Sequence, residues 1–497
     1  LLIVSLTGRL KALTKPTDGL DRCSRKVPIT ISPSESATMS TIDLSHEIAR
    51  HVANTRYENL PGDAIEAAKK SILDTLGVIL AGSGMEPAVQ GVADIVLSGG
   101  GRPDCSVLGF NSKVPAPMAA FANGVMAHCL DYDNQTPWGA HPDSSVVPAV
   151  LAIAQHKGGV SGKDLITAVA LGEDLFVRLR CNVRWKQDWN LSSVLGVYCA
   201  AAAAGHILGL NAQQLAHALG IASMQSAGTM EVIFGIGSDL RGMYAGFTAQ
   251  GAVLAALMAQ RGITGINDLF EGKAGIFNVY FGGEYDRAKM VEGLGKTYLG
   301  ASMIYKAWPA VGNVHTYIHA AIEMMREHSL KASEIEQIYA YVGDFHMRMC
   351  TPLDVRRAPK TLVDAKFSLP YCVALALARG EIRISDFSSA ALVDPEVLAL
   401  AQKVVPIEDS DLDWKVTIPD GRLEILMRDG RRLQRKGDNV PGSPETPLSW
   451  DRLISKFRDC ASVAAHLLAP DAIEAAVQMA RNLESLDDCA KLLHALT

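Results

Sequence analysis

Charged residues make up only 20% of this chain and aromatic residues 6%, against 48% hydrophobic residues in 497. That balance excludes an intrinsically disordered chain and calls for a large buried core. Positive charge is not in excess: the net charge is −6, so the field that attracts nucleic acid or an anionic membrane surface is missing, and neither is expected as a partner. Nine cysteines are scattered without a C-x-x-C pair, which argues against a disulfide framework and for reduced, mostly buried thiols. There is no H-E-x-x-H and no G-x-x-x-x-G-K-[ST], and Gly235 with Gly237 does not complete G-x-G-x-x-G because Leu240 holds the last place. No metal and no nucleotide cofactor is therefore expected. The most apolar stretch, residues 194–210, contains Tyr198 and His206 and is shorter than the roughly 20 residues of a comfortable bilayer span. It reads as a buried helix.

What is present is helical periodicity. In "DAIEAAKKSILDTLGVILAG", Ile65, Ala68, Ile72, Leu76 and Ile79 fall three and four apart, with Pro61 and Asp63 as start signals and Gly82 as a stop. Further helices are predicted over 114–130, 145–157, 162–178, 192–210, 212–223 and 246–261, with almost no alternating pattern between them. Small residues at Ala200 to Ala204 allow close helix approach and put that helix at the centre of a bundle. After about residue 300 the pattern changes: "KASEIEQIYAYVG" reads as a strand, as do "WKVTIPD" and "RLEILMRDGRRLQRK", joined through Pro419, Asp420 and Gly421, while "DAKFSLPYCVALALARGEI" reads as a helix. The expected class is mostly α. A large all-helical domain would be built from both chain ends (42–303 and 448–497), with a smaller α+β lid domain, 304–447, inserted. Residues 1–41 are expected to be a leader outside the fold. The chain begins at Leu1, carries Arg9, Lys11, Lys15, Arg22, Arg25 and Lys26 in no periodic pattern, and offers Met39 as a start. A genuine transit peptide there implies a mitochondrial location, and upstream translated sequence a cytoplasmic one.

Chemistry concentrates in "HCLDYDNQTPWGAHPDSSVVPAVLA", residues 128–152, where Asp131, Asp133 and His141 fall in a loop between two apolar helices. Ser144 or Asp143 can cap the following helix and leave its free N–H groups near His141, a setting that suits a carboxylate. The same acids can equally serve as caps alone. In "YKAWPAVGNVHTYIHAA", His315 and His319 stand one helical turn apart, yet no third metal ligand is in sight; His315, just after Gly312, is the better functional candidate. Arg241 and Tyr244 stand where a helix begins, where an arginine can hold a carboxylate by two parallel hydrogen bonds, and Tyr371 stands at a helix start beside Pro370.

Together "SILDTLGVILAG" (71–82), "HCLDYD" and "HPDSSVVPA" (128–149), "AQGAVLAALMAQRGITG" (249–265), "KAWPAVGNVH" (306–315) and "FSLPYCVALALARG" (367–380) resemble, in order, the MmgE/PrpD family of 2-methylcitrate dehydratases, cis-aconitate decarboxylases and iminodisuccinate epimerases. The resemblance implies a helical domain with an inserted lid, a homodimer, no cofactor, a polycarboxylate substrate, and a site in the cleft between domains. It puts the family's site aspartate on Asp131, its histidines on His141 and His315, its lid tyrosine on Tyr371, and a basic residue that is usually Lys on Arg241. Gln135, Asn190 and Lys306 join Arg241 as substrate-binding candidates. Three departures stand out. Arg241 keeps the charge but not the readily donated proton of a lysine, Asn190 stands where the decarboxylases carry a histidine, and Gln135 replaces a hydroxyl residue.

The implied activity is a cofactor-free lyase, with dehydration of a 2-methylcitrate-like or longer alkylcitrate first. Cis-aconitate decarboxylation comes second, and an epimerase or a non-catalytic binding homologue follows. All the catalytic options require a base near neutrality beside a carbon next to a carboxylate, and cations to spread charge. His141 or His315 would take the proton, the other histidine or Tyr371 would protonate the leaving hydroxyl, and Asp131 would orient a histidine.

Overall fold

The helix predicted from spacings of three and four runs from Gly62 to Met85 in the computed structural model, which describes residues 42–497 apart from Val416. The expected leader lies outside the described residues. Ala64, Ala68, Ile72, Leu76 and Ile79 are buried, and from Ser71 to Ser83 the helix is covered all round, as a helix inside a large core must be. Against it pack Ala116–His128, Asp143–Lys157 and Gly162–Cys181, and Tyr244–Gln260 packs in turn on the first two, each within a few residues of its predicted bounds. The predicted 192–210 helix is interrupted at Leu195, giving Leu191–Val194 and Gly196–Leu208. Its alanine run is wholly buried among neighbouring helices. The 18-residue window Leu191–Leu208 is apolar enough to pass for a membrane span, but 94% of it is buried inside the protein.

Helix accounts for 58% of the described residues, with small sheets, so the mostly-α class holds. The described residues form two hydrophobic cores. One draws on 44–305 and on the C-terminal helices, including Leu453, Phe457, Val477 and Leu492. The other gathers Val314, Ile318, Ile338, Leu375, Ile425 and their neighbours. The second core backs a four-stranded sheet in which Ile335–Val342 pairs in parallel with Val404–Glu408 and antiparallel with Gly421–Met427, which in turn pairs with Arg432–Gly437.

Two sequence readings are corrected by the structure, and two short strand elements were not foreseen. The described residues of 414–420 form no strand: Trp414 N bonds Asp344 Oδ1 at 2.9 Å and Ile418 N bonds the Pro137 carbonyl at 3.3 Å, so these residues are spent on holding loops together. The hairpin turns instead at Asp429 and Gly430, where Gly430 takes φ +90°, inside what was read as one strand. Val404–Glu408 carries a proline and no alternation, so it was not legible as a strand. The first half also contains a small ribbon, Cys105–Val107 with Ser112–Val114, too short to leave a period.

One buried cation fixes the approach to the site. Arg178 donates Nε–H to Asp174 Oδ2 at 2.8 Å and spreads its other donors over the carbonyls of Met290, Glu292, Gly293 and Thr297, while Asp174 Oδ1 accepts from Leu299 N at 2.8 Å. The segment 290–299, which leads to Ile304 and Lys306, is thereby fastened to the Gly162–Cys181 helix. Replacing Arg178 by Met leaves the Asp174 carboxylate buried without a counter-ion, and a loss of about 3–5 kcal/mol is expected. Urea unfolding followed by circular dichroism measures it, and a loss below about 1 kcal/mol, the scale of an exposed pair, would show that the pair is dispensable.

Candidate active site

The Ala116–His128 helix ends and the Asp143–Lys157 helix begins on either side of the loop 129–142. Most of this loop is buried although it has no regular structure of its own, so its polar groups must find partners from elsewhere. Asp131 and Ala140 are held at φ +49° and +77°, sparsely populated values for residues with a Cβ. Gln135 is fixed by a two-way backbone bridge to Ile304, N to O 3.0 Å and O to N 2.8 Å.

The acids of the loop are matched one by one. Asp131 is ion-paired with Lys306, which is fully buried and also donates to the Asp131 carbonyl at 2.8 Å. Burial acts to raise the Asp131 carboxyl, but Lys306, then His141 and His128, hold it below its ordinary value. Asp133, fully buried, lies 3.0 Å from Nδ1 of His128 with both oxygens and 3.2 Å from Nδ1 of His141. Burial again pushes up, and attraction to the two imidazoles together with their hydrogen bonds holds Asp133 well below the usual carboxylate range. Asp133 is therefore an acceptor, and so is the Asn134 carbonyl 2.9 Å from His141 Nδ1. Nδ1 of His141 accordingly carries the proton and Nε2 is left as its basic nitrogen. The two imidazoles meet edge to face, centroids 4.8 Å apart. His128, Asp133 and His141 offer ligand atoms within 4.8 Å of one another and are the one such group among the described residues that could hold a metal ion.

A cavity of about 80 Å³ opens beside this group, enough for several water molecules. Its polar lining includes His128, Asp131, Gln135, His141, Arg180 and Asn190, and the rest is largely aromatic and aliphatic. Asn190 accepts from Ser192 N at 3.1 Å, and Ser192 Oγ accepts from His141 N at 3.0 Å, so the segment carrying Asn190 also braces His141. Tyr244 lines the same space; burial, then the Asp133 charge, pushes its hydroxyl well up, so it keeps its proton. Neither Ser144 nor Asp143 caps the following helix. Asp143 instead accepts from Asn134 Nδ2 at 2.5 Å, and burial raises it to about 6.

Of the eight residues given a catalytic or substrate-binding role from the resemblance, four line this cavity: Asp131, Gln135, His141 and Asn190. The other four do not. Lys306 is taken up by Asp131. His315 donates Nε2–H to the Ala310 carbonyl at 3.1 Å and faces a second cavity, of about 460 Å³, that meets the first at Gln135. Burial and then the Lys306 charge pull His315 down to about 3, so it is neutral. Gly312 lets the Gln135 amide lie against the backbone where these walls meet, since a Cβ there would come 2.1 Å from Gln135 Oε1 and displace it. Tyr371 is wholly buried in the second core, its hydroxyl donating to the Ala391 carbonyl at 3.0 Å. Arg241 lies with its guanidinium 4.0 Å from the centroid of Phe367, a ring that lines the cavity, and none of its three nitrogens has a hydrogen-bond partner among the described residues. Burial, and next the Arg356 charge, pull it down to about 10. The carboxylate that orients His141 is that of Asp133, whereas the sequence reading gave the role to Asp131. His128 stood in the quoted "HCLDYD" without being singled out, and Arg180 gave no signal, being one more arginine near a helix end.

Models of the MmgE/PrpD N-terminal domain and the MmgE/PrpD C-terminal domain match residues 46–288 and 308–485. The cis-aconitate decarboxylase of Aspergillus terreus (strain NIH 2624) is 26% identical over 90% of this chain and 95% of its own, and that of Homo sapiens 26% over 90% and 93%. The mitochondrial 2-methylcitrate dehydratase of Yarrowia lipolytica is 23% identical over 82% of this chain and 81% of its own. The two domain models lie in order and together take in most of the residues from 46 to 485, and the chain belongs to the MmgE/PrpD family.

Proposed function

We propose that this protein is a lyase on a tricarboxylate, and that its reaction is dehydration of a 2-methylcitrate-like or longer alkylcitrate with His141 as the base. The observation that carries the reading is the imidazole of His141, held at Nδ1 by Asp133 and the Asn134 carbonyl, at the wall of a cavity lined mainly by apolar side chains. Nε2 takes the proton from the carbon next to a carboxylate, and Asp133 stabilises the imidazolium that results. The hydroxyl on the neighbouring carbon departs as water with a proton from a group that holds one at neutral pH. Tyr244 meets that requirement, and Tyr371, bonded to Ala391 in the second core, is less well situated. The relatives named as 2-methylcitrate dehydratases support this chemistry.

A second reading, decarboxylation of cis-aconitate, is favoured by the breadth of match: relatives of that name cover 90% of the chain, against 82% for the dehydratase of Yarrowia lipolytica. Against it, the resemblance puts Asn190 at the position of a decarboxylase histidine, and a carboxamide has no proton to transfer. Proton NMR of the protein with 2-methylcitrate, a longer alkylcitrate and cis-aconitate in D2O separates the two. New alkene signals from a citrate are expected; itaconate with CO2 release from cis-aconitate, and no alkene from any citrate, would replace the first reading by the second.

His141→Ala is expected to lower kcat/KM by about 10²–10⁴-fold with an unchanged circular dichroism spectrum, and activity within a few-fold of the parent would remove His141 from the mechanism. Asp133→Asn keeps the shape but offers His141 an amide in place of a carboxylate. A fall in kcat of about 10²–10⁴-fold with KM little changed is expected, as for the loss of a carboxylate that fixes a tautomer. A change confined to KM would reassign Asp133 to substrate binding.

A further inference from the structure

Buried cations near the site differ in their partners: some meet a carboxylate, Arg356 is spent on the carbonyls of Thr351, Phe367 and Arg348, and two arginines leave donors unmatched. Lys306 is matched by Asp131 and Lys456 by Asp74 at 2.7 Å, whereas no carboxylate of the described residues lies within ion-pair distance of Arg180 or Arg241. Of these two, Arg180 lines the cavity and Arg241 does not.

Arg180 stands two residues after Arg178 on one helix, roughly 200° further round it, so the two side chains serve opposite sides. Arg178 is saturated by Asp174 and four carbonyls. Arg180 has one hydrogen bond among the described residues, Nη2 to the Trp138 carbonyl at 2.6 Å, although only 7% of the residue is exposed. Its guanidinium lies 5.0 Å from the ring centroid of Trp185. Trp185 meets Trp414 edge to face at 6.0 Å, and Phe345 packs 5.2 Å from Trp414. These three rings line the cavity with Arg180. The fork thus has an aromatic ring beside it and a carbonyl at one nitrogen, and its remaining donors have no protein partner among the described residues.

We propose that Arg180 anchors a substrate carboxylate in this cavity by a charge-assisted hydrogen bond, making it a substrate-binding residue. This rests on the polycarboxylate reading above and adds to it the side chain that receives the anion. A buried guanidinium with no counter-ion gains most from an incoming carboxylate, because neither partner has an existing ion pair to break. Its anchor point also ties binding to chemistry: Trp138, whose carbonyl holds Arg180, and His141 belong to the same short loop. A carboxylate seated on Arg180 leaves the rest of the molecule to extend along the rings toward His141.

The test measures binding rather than turnover, by titration calorimetry with propane-1,2,3-tricarboxylate, which has no hydroxyl to lose. The parent, Arg180→Gln and Arg180→Lys are compared at equal ionic strength, each checked for an unchanged melting curve. Arg180→Gln keeps a donor for the Trp138 carbonyl but no charge, and a Kd about 30–100-fold weaker is expected, the scale of a hydrogen bond to a charged group. Arg180→Lys keeps the charge without the fork, and about a 5–10-fold weakening is expected; this arm decides the matter by itself if the glutamine variant does not fold. Equal Kd values for the parent and a folded variant would overturn the assignment while leaving the polycarboxylate site standing. Failure of the parent to bind the tricarboxylate would remove both.

Discussion

Burial of an irregular loop is the constraint from which the rest of this site follows. The backbone of 129–142 makes no helix or sheet, and several of its side chains are ionic. In water such a loop would be satisfied by solvent; buried, it needs each donor and acceptor answered from the surrounding protein. Lys306 answers Asp131, two imidazoles answer Asp133, Ile304 answers the backbone of Gln135, and Lys456 donates to the Tyr132 carbonyl at 2.7 Å. These partners come from distant parts of the chain, so the site exists only when the C-terminal helix Trp450–Ala461 and the segment around 306 are docked against the loop. Arg178 extends the same dependence outward by fastening 290–299 to the helix that also carries Arg180.

The same constraint sets what a sequence can disclose. The first core was legible because a helix covered on most sides repeats apolar residues with a fixed period, and that period survives whatever the helix packs against. The loop's importance was legible from its acids, its histidine and its helix-breaking residues. Which acid meets which base was not, because contacts between Asp131 and Lys306, 175 residues apart, leave no local pattern. Asp131 and Asp133 differ only by position in the sequence; the pleat of the loop and its positive φ at Asp131 send one toward Lys306 and the other toward two histidines. Arg180 was illegible for a related reason. Its neighbour Arg178 has the same side chain on the same helix and a purely architectural set of partners, so only the location of the acceptors separates a brace from an anchor. The strands of the second core were misjudged where side chains serve loops rather than the sheet, as Trp414 does.

Pairing the acids inside the loop has a consequence for the empty part of the site. If Asp131 or Asp133 were uncompensated, a polyanion approaching the cavity would meet repulsion in a region where charges are poorly screened. With Lys306 paired to Asp131 and two imidazoles hydrogen-bonded to Asp133, the guanidinium groups with neither a carboxylate nor a full set of carbonyls around them are those of Arg180 and, behind Phe367, Arg241. Keeping guanidinium groups buried without counter-ions is costly for the unliganded fold, and an arginine is the cation that tolerates it best because its charge is delocalised and weakly hydrated. The cost is recovered when an anion enters, since the ligand then supplies the charge that the protein withholds. A site built this way favours an anion over a neutral molecule of the same shape by the desolvation it no longer has to oppose, and it keeps His141 free to act as a base because the carboxylate beside it is the protein's own.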